Sequence, residues 1–338
     1  MTLEATREDP KPVAVSAAGS SNTRGRLVGD RQKTAQRLLR STADRAYNGE
    51  LDIDWDAPLE PDMDWVPEHR QTLYGTKVWD KLTQEQRREL GKHEAVAVLS
   101  FGLYAEVGLS MMLMRSVIEN PVVADDHCRY ALAEIGEESR HSTMFSRLVN
   151  KSGVEPYTIP RGLRKLIRLV GLVPSGPVGY AGTLLIEEVL DRLQREGMAD
   201  ERIQPHFRQL MKIHVLEEAR HITYAREELV RSMNATSKAR VALHRGLFSL
   251  SVLGVLPVLV NPKVYRSVGL SPLRGAIIAQ RSPLYRQRAE FSGEPLLRFG
   301  YETGFVKGAI TTRILRLARA LPQDILDELD GRSPKAAA

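Results

Sequence analysis

The sequence predicts an all-α fold, and two observations predict it. Aromatic residues make up only 6% of the chain, and β-branched runs are scarce beside Leu, Ala, Glu and Arg, a balance that favours helices. No stretch shows a sustained alternation of apolar and polar residues, which is the pattern of a half-buried strand. We therefore expect a helical protein with essentially no sheet.

The N-terminal half is expected to contain a tail and three helices. Residues 1–28 lack an apolar run and predict a disordered tail, and a helix is expected over residues 30–47. Thr83 and Gln86 have the spacing of a capping box, which predicts that a long helix begins here and continues to about Val117. Asn120–Pro121 ends it, and another helix is expected over residues 124–149.

The C-terminal half repeats this helical pattern. A short basic amphipathic helix is expected over residues 161–173, and long helices over residues 180–195 and 201–233. An apolar helix and further helices should fill residues 237–330, before a tail at residues 331–338. We expect one domain, residues 29–330, with a bundle core at about 85–235.

Composition excludes several classes of protein. The net charge is +6, but no basic patch is interleaved with aromatics, so we expect no nucleic-acid partner. A single cysteine, Cys128, cannot form an internal disulfide, which favours a cytoplasmic location and excludes thiolate-bound zinc or iron–sulfur clusters. The strongest apolar run, residues 247–260, falls short of the roughly 20 residues of a membrane span, so no transmembrane segment is expected.

A repeated pattern of glutamate and histidine carries the chemistry. A lone glutamate in an apolar segment precedes a Glu-x-x-His motif by 32 positions (138 − 106), and the same layout recurs with an interval of 31 (218 − 187). The residues are Glu106, Glu138 and His141 in the first half, and Glu187, Glu218 and His221 in the second. The two motifs are offset by 80 positions (218 − 138), a match that is hard to obtain by accident.

Helix geometry explains why these residues belong together. Positions i and i+3 project from one face, so each Glu-x-x-His offers an oxygen and a nitrogen to one point. Two lone glutamates and two Glu-x-x-His motifs on four helices are the ligand set of ferritin-like di-iron bundles, which predicts a ferritin-like four-helix bundle with additional N- and C-terminal helices. These donors suit two iron ions, with manganese as the second choice. The alternative, that these are exposed surface glutamates, conflicts with the apolar surroundings of Glu106.

His214 lies seven residues before His221, which leaves it only about 20° away around the helix. It therefore faces the same cavity, either as a further donor or as a hydrogen-bonded core histidine. Spacing alone leaves open whether Glu187 or its neighbour Glu188 points inward.

At this point the chain resembles the AurF-like family of p-aminobenzoate N-oxygenases over roughly residues 85–235. Members carry a lone Glu, a Glu-x-x-His, a second lone Glu and a His-x-x-x-Glu-x-x-His. The resemblance implies that the iron ligands are Glu106, Glu138, His141, Glu187, His214, Glu218 and His221, and the family register favours Glu187 over Glu188.

The resemblance also implies an enzyme that uses O2, a small-molecule substrate and an external electron donor to oxidise the nitrogen of an arylamine-type substrate. Two alternatives stay open. One is a di-iron C–H hydroxylase or desaturase acting on a lipid or carrier-bound acyl substrate. The other is a ferritin-like iron-binding protein without enzymatic activity.

Residues beside the predicted ligands are candidates for supporting roles. Side chains able to hydrogen-bond the ligands across the bundle, or else to form plain surface salt bridges, are Glu137, Arg140, Asp191, Glu217 and Arg220. An apolar substrate pocket without an evident anion anchor, or else simple core filling, is expected from Phe101, Leu103, Thr183 and Leu184. The basic helix could dock a ferredoxin-like protein or reductase, or simply be a solvated linker. A homodimer is expected from the habit of related bundles.

Overall fold

The computed structural model describes residues 28–169, 172–255 and 259–332. Over these residues the fold is all-α and contains no strand, as the composition predicted. The helices are α1 (Arg31–Asp44), α2 (Gln84–Glu119), α3 (Asp126–Ser152), α4 (Arg161–Ile167), α5 (Pro177–Ala199), α6 (Pro205–Ala235), α7 (Lys238–Val255), α8 (Pro272–Arg281), α9 (Leu284–Glu302), α10 (Ala309–Leu317) and α11 (Gln323–Leu329).

Four long helices form the central bundle. α2 packs along α3, α5 packs along α6, and the two pairs meet through α3 with α6 and α2 with α5. A short loop joins the helices within each pair, whereas the longer connection that contains α4 links one pair to the other. This is the ferritin-like arrangement that the repeated motif predicted.

The start of α2 shows how the sequence sets a helix boundary. Thr83 accepts a hydrogen bond from the Gln86 backbone N–H at 3.2 Å, and the Gln86 side chain accepts one from the Thr83 N–H at 3.0 Å. The predicted capping box is therefore present, and it satisfies two amide groups that the helix itself leaves unpaired. α2 then continues for 36 residues, which is long enough to carry the first metal-binding candidate at its middle.

The remaining segments cover the bundle. α1 packs on α3 and α6, and α7 and α9 pack on α5. The loop before α2 buries Trp55 and Trp65 against the apolar side of α3 around Met144. The predicted tail at residues 1–28 lies almost wholly outside the described residues. Most of the predicted C-terminal tail, residues 333–338, also lies outside them.

One described helix, α2, is long and apolar enough to cross a membrane by length and composition. Most of that apolar stretch, 61%, is buried inside the protein, as expected for the core helix of a bundle. The stretch singled out from the sequence, residues 247–260, belongs in part to α7, which buries Phe248 and Val252 but exposes Leu243 and Leu250. Helix α7 is therefore covered on one face only.

Candidate metal centre

The bundle brings all seven predicted donors together in its core. α2 supplies Glu106, α3 supplies Glu138 and His141, α5 supplies Glu187, and α6 supplies His214, Glu218 and His221. All are buried, and His141 and His221 have no exposed surface. Seven buried polar side chains at one place in an apolar bundle need partners, because an unpaired buried charge is costly.

The donors fall into groups small enough to hold single ions. Glu106, His141 and His214 each offer an atom within 4.8 Å of the others, and Glu138, His141 and Glu218 do the same. A third group, with the same spacing, joins Glu187 and His221 to Glu138 and to one residue that the sequence analysis did not select, Glu134.

The two glutamates of the Glu-x-x-His motifs lie between the two histidines. Nδ1 of His141 is 3.3 Å from Glu138 and 3.2 Å from Glu218. Nδ1 of His221 is 3.0 Å from Glu138 and 3.3 Å from Glu218. Each carboxylate therefore faces both imidazoles, which is the position of a bridging ligand in a two-metal site.

The opposite nitrogen of each histidine is occupied by a glutamate from the other half. Nε2 of His141 donates to Glu217 at 2.8 Å, and Nε2 of His221 donates to Glu137 at 2.8 Å. Because each carboxylate only accepts, Nε2 of each ring keeps its proton, and Nδ1 is the nitrogen that faces the cluster and can exchange its proton for a metal ion. The contacts cross the bundle as the sequence analysis anticipated.

Arginines hold these two glutamates in place. Arg220 donates to Glu137 at 2.6 Å, and Arg140 donates to Glu217 at 3.3 Å. Asp191, the remaining candidate for such a role, forms an ion pair with Arg195 at 2.7 Å instead.

His214 has a different partner. Its Nδ1 lies 2.9 Å from the amide oxygen of Gln194 on α5, and its Nε2 lies 3.4 Å from both Glu106 and Glu218. An amide oxygen accepts, so Nδ1 carries the proton and Nε2 offers its lone pair to the cluster. Gln194 was missed because its role depends on how α5 packs against α6, which no local spacing reports.

The side chains of Glu187 and Glu188 point in different directions, and only that of Glu187 enters the cluster. Both carboxylate oxygens of Glu187 are buried without a hydrogen-bond partner, inside the cluster. Glu188 turns away and pairs with Arg226.

The buried carboxylates of the cluster favour a positive charge among them, from protons or from metal ions. Burial raises the pKa of Glu106 and of Glu187 well above the ordinary value, and the nearby Glu138 and Glu218 carboxylates add to the effect. Burial opposes charge on His221, but the surrounding carboxylates outweigh it and raise its pKa. Protons thus compensate the negative charge of the cluster, and metal cations can take their place.

The donor set fits a pair of metal ions. Several buried atoms of the cluster form no well-directed hydrogen bond, although some of them lie within 3.3 Å of one another. They are both oxygens of Glu187 and of Glu218, one oxygen of Glu138 and Nδ1 of His221. Native proteins rarely leave so many buried polar atoms unsatisfied in one place. Carboxylate oxygen and imidazole nitrogen are suitable ligands for iron and manganese.

A cavity of about 130 Å³ opens onto this cluster. Its inner end is formed by Glu106, Glu187 and His214, and its walls are mostly apolar. It follows α2 from Glu106 towards the helix N-terminus and α5 from Glu187 towards the helix C-terminus, past Leu99, Gly102, Leu190 and Gly197. Four further polar side chains also line it, namely Arg70, Thr72, Glu94 and Gln194.

The four side chains predicted for a substrate pocket lie elsewhere. Phe101 and Leu103 pack against other apolar clusters, Leu184 belongs to the core beneath α7 and α9, and Thr183 borders a second cavity on the side of Glu134. The sequence analysis assigned the pocket to the helical turn that precedes each lone glutamate, Glu106 and Glu187. The cavity instead follows the two helices in opposite senses, so it reaches the turns after Glu187.

A four-helix bundle with two carboxylate–histidine groups in its core defines the class of di-metal carboxylate proteins. The chain belongs to the p-aminobenzoate N-oxygenase AurF family, which matches residues 28–304. This is a family of di-iron oxygenases, and the match extends well beyond the residues 85–235 that carry the motifs.

Two mycobacterial proteins are similar in sequence to this chain. The uncharacterized protein MT0908 of Mycobacterium tuberculosis (strain CDC 1551 / Oshkosh) is 30% identical over 68% of this chain and 69% of its own length. The uncharacterized protein Mb0909 of Mycobacterium bovis is 32% identical over 57% of this chain and 58% of its own length.

Proposed function

We propose that this protein is a di-iron N-oxygenase that transfers oxygen to the nitrogen of an amine, of the arylamine type. The proposed iron ligands are Glu106, Glu138, His141, Glu187, His214, Glu218 and His221. When bound, the two irons supply the reductive activation of dioxygen, with electrons from an external donor. Manganese is the alternative metal for the same donors.

The protein's own contribution is to position donors and exclude water. Glu137, Glu217 and Gln194 each hold one imidazole so that its free nitrogen faces the cluster. Burial of the whole donor set removes bulk water from the place where oxygen reacts. These features serve any di-iron oxygenase, so the choice of substrate depends on the cavity.

The cavity that ends on Glu106, Glu187 and His214 is the observation that carries the proposal. Its volume of about 130 Å³ is close to that of an engineered apolar cavity of about 150 Å³ that binds benzene. A single aromatic ring therefore fits, with its reacting nitrogen directed at the metals. Arg70, the cation on the wall, is already paired with Glu196 at 2.6 Å, so an uncharged arylamine suits the cavity better than a carboxylated one.

The shape of the same cavity favours one rival. Its lining follows α2 from Ala95 to Glu106, an axial distance of roughly 16 Å at 1.5 Å per residue. A narrow apolar groove of that length would also suit an acyl chain, which supports a C–H hydroxylase or desaturase as the second candidate.

The products decide between these candidates. Iron-loaded protein is reduced, exposed to oxygen with either a panel of arylamines or a panel of acyl substrates, and analysed by mass spectrometry. We expect hydroxylamine, nitroso or nitro products from an arylamine. A new hydroxyl group or double bond on an acyl substrate, with arylamines unchanged, would contradict N-oxygenation.

A cavity-filling variant ties the products to this cavity. Val98 on α2 lines the cavity and is half-buried, so Val98→Phe should lower kcat/KM for the substrate at least tenfold while the metal content stays unchanged. Val107→Phe is the matched control, because Val107 lies on the same helix but is 54% exposed. Equal activity in both variants would place the substrate elsewhere.

Electron delivery is a separate part of the proposal. α4 exposes Arg161, Arg164 and Lys165, and its Leu163 packs against the Phe101 side of α2. A ferredoxin-like protein or a reductase with an acidic surface would be attracted to this basic helix. Charge reversal at Arg164 and Lys165 together should slow reduction of the irons by such a donor at low ionic strength and leave reduction by dithionite unchanged.

A further inference from the structure

Glu134 occupies on α3 the position that His214 occupies on α6. His214 lies four residues before Glu218 and seven before His221, and Glu134 lies four before Glu138 and seven before His141. The offset between the two is 80 positions (214 − 134), the same as between the two motif glutamates (218 − 138). A residue at this register projects from the same helix face as the motif that follows it.

The surroundings of Glu134 match those of a metal ligand. The side chain is 1% exposed and one of its carboxylate oxygens has no hydrogen-bond partner. It offers a donor atom within 4.8 Å of those of Glu138, Glu187 and His221. Thr183 and Tyr224 border the cavity on its other side. The two arginines that also line that cavity are paired with other carboxylates, Arg31 with Glu228 at 2.9 Å and Arg115 with Glu119 at 2.6 Å.

The two ends of the cluster differ by one donor unless Glu134 is included. Glu106, His141 and His214 form one end, while Glu187 and His221 form the other, and Glu138 and Glu218 face both histidines. His214 therefore gives the first end a third donor of its own. Within the described part of the chain, Glu134 is the further residue placed to give the second end the same number.

We propose that Glu134 is an eighth protein ligand, specific for the metal ion beside Glu187 and His221. The inference rests on the proposed di-metal function and deepens it. The two metal positions then differ in chemistry: one has two imidazoles and one carboxylate of its own, and the other has one imidazole and two carboxylates. The carboxylate-rich position is the harder one and should prefer oxygen-seeking ions such as Mn²⁺.

The test is a titration of the metal-free protein with Mn²⁺, followed by electron paramagnetic resonance. The wild type should bind two ions and give the spectrum of a spin-coupled pair. Glu134→Ala should bind one ion with unchanged affinity and the second at least tenfold more weakly, so that an isolated Mn²⁺ signal persists at two equivalents. Glu134→His should restore two-ion binding, because imidazole replaces the lost donor as it does at His214.

Two controls keep the outcome decisive. Glu228→Gln replaces another buried glutamate of the bundle, which pairs with Arg31 and Arg231 outside the cluster, and should bind two ions as the wild type does. Glu134→Gln preserves the shape of the side chain but is a poor ligand, so it reports on coordination even if Glu134→Ala folds badly; circular dichroism checks the fold of each variant.

Wild-type affinity for both ions in Glu134→Ala and Glu134→Gln would overturn the assignment of Glu134 and leave the proposed function intact. A wild-type protein that bound fewer than two ions would overturn both.

Discussion

At the scale of single residues, each of three histidines has one ring nitrogen committed to an acceptor and the other free. Glu217, Glu137 and Gln194 are the acceptors for His141, His221 and His214 respectively. The opposite nitrogens of all three rings lie within 3.4 Å of Glu218. A cluster built this way is organised for metal binding before any metal arrives, since the orientation of each ring is already fixed.

Glu217→Ala tests this support. Loss of the acceptor for His141 should lower metal affinity about 10–100-fold, measured by competition with a chelator. Glu227→Ala on the same helix is the control, because Glu227 contacts Thr34 and Arg231 and not the cluster. Unchanged affinity in Glu217→Ala would mean that the hydrogen bond does not orient the ring.

Glu94 gives a pH-dependent prediction. Burial raises its pKa from 4.5 to about 7, although Thr72 donates to it. A folded-state pKa above the unfolded value means that its contribution to stability is present below about pH 4.5 and is lost as pH rises through about 7. Glu94→Gln, which mimics the protonated form, should therefore gain stability relative to the wild type over that interval, by on the order of 1–3 kcal/mol.

Urea denaturation of metal-free protein at pH 5 and pH 8 measures the effect as a difference between variant and wild type. A difference that does not change between the two pH values would show that Glu94 is not buried as a neutral acid.

Spacing within one helix identified the two Glu-x-x-His motifs and His214, and the matched intervals before the motifs identified the lone glutamates Glu106 and Glu187. The 80-residue offset could also have identified Glu134, because it is the counterpart of His214. It was missed because the two positions carry different residue types, a glutamate and a histidine. Gln194 and the direction of Asp191 could not be found in this way. Both depend on the rotation of α5 against its neighbours, which is a property of packing.

At the scale of elements, α2 links the helix boundary, the cavity and the cluster. Its capping box sets the N-terminus, and Ala95, Gly102 and Glu106 follow one another along the face that lines the cavity. A β-carbon at Gly102 would lie 2.9 Å from the ring of Phe145, so this glycine lets α3 approach closely. The four side chains named for a pocket in the sequence analysis do not line this cavity, because its course depends on which faces of α2 and α5 meet.

Thr83→Ala tests the boundary of α2. The variant loses the side-chain acceptor for the Gln86 N–H and should lower the free energy of unfolding by about 1 kcal/mol, measured by urea denaturation. Metal content should stay at the wild-type level because Thr83 lies more than twenty residues before Glu106. Unchanged stability would show that the capping box contributes nothing measurable.

At the scale of the whole molecule, the all-α fold and its central bundle were predictable because helical composition and the repeated motif agree. The packing of α7 and α9 over α5 was not, since apolar helices carry no signal for their partner. These added helices bear on function. An iron-storage protein assembles compact bundles into a shell, whereas here the faces of α5 are covered by helices of the same chain.

Size-exclusion chromatography with light scattering tests that difference. We expect a monomer or a homodimer, because the added helices occupy surface that a shell would need. A large closed assembly that takes up many irons per chain would favour storage over oxygenation.

The most direct test of a paired metal site is anomalous X-ray diffraction from iron-loaded crystals, recorded on both sides of the iron absorption edge. The account predicts two iron peaks per chain, roughly 3.5–4 Å apart, lying between Glu138 and Glu218. A single peak, or iron bound away from these two carboxylates, would contradict it.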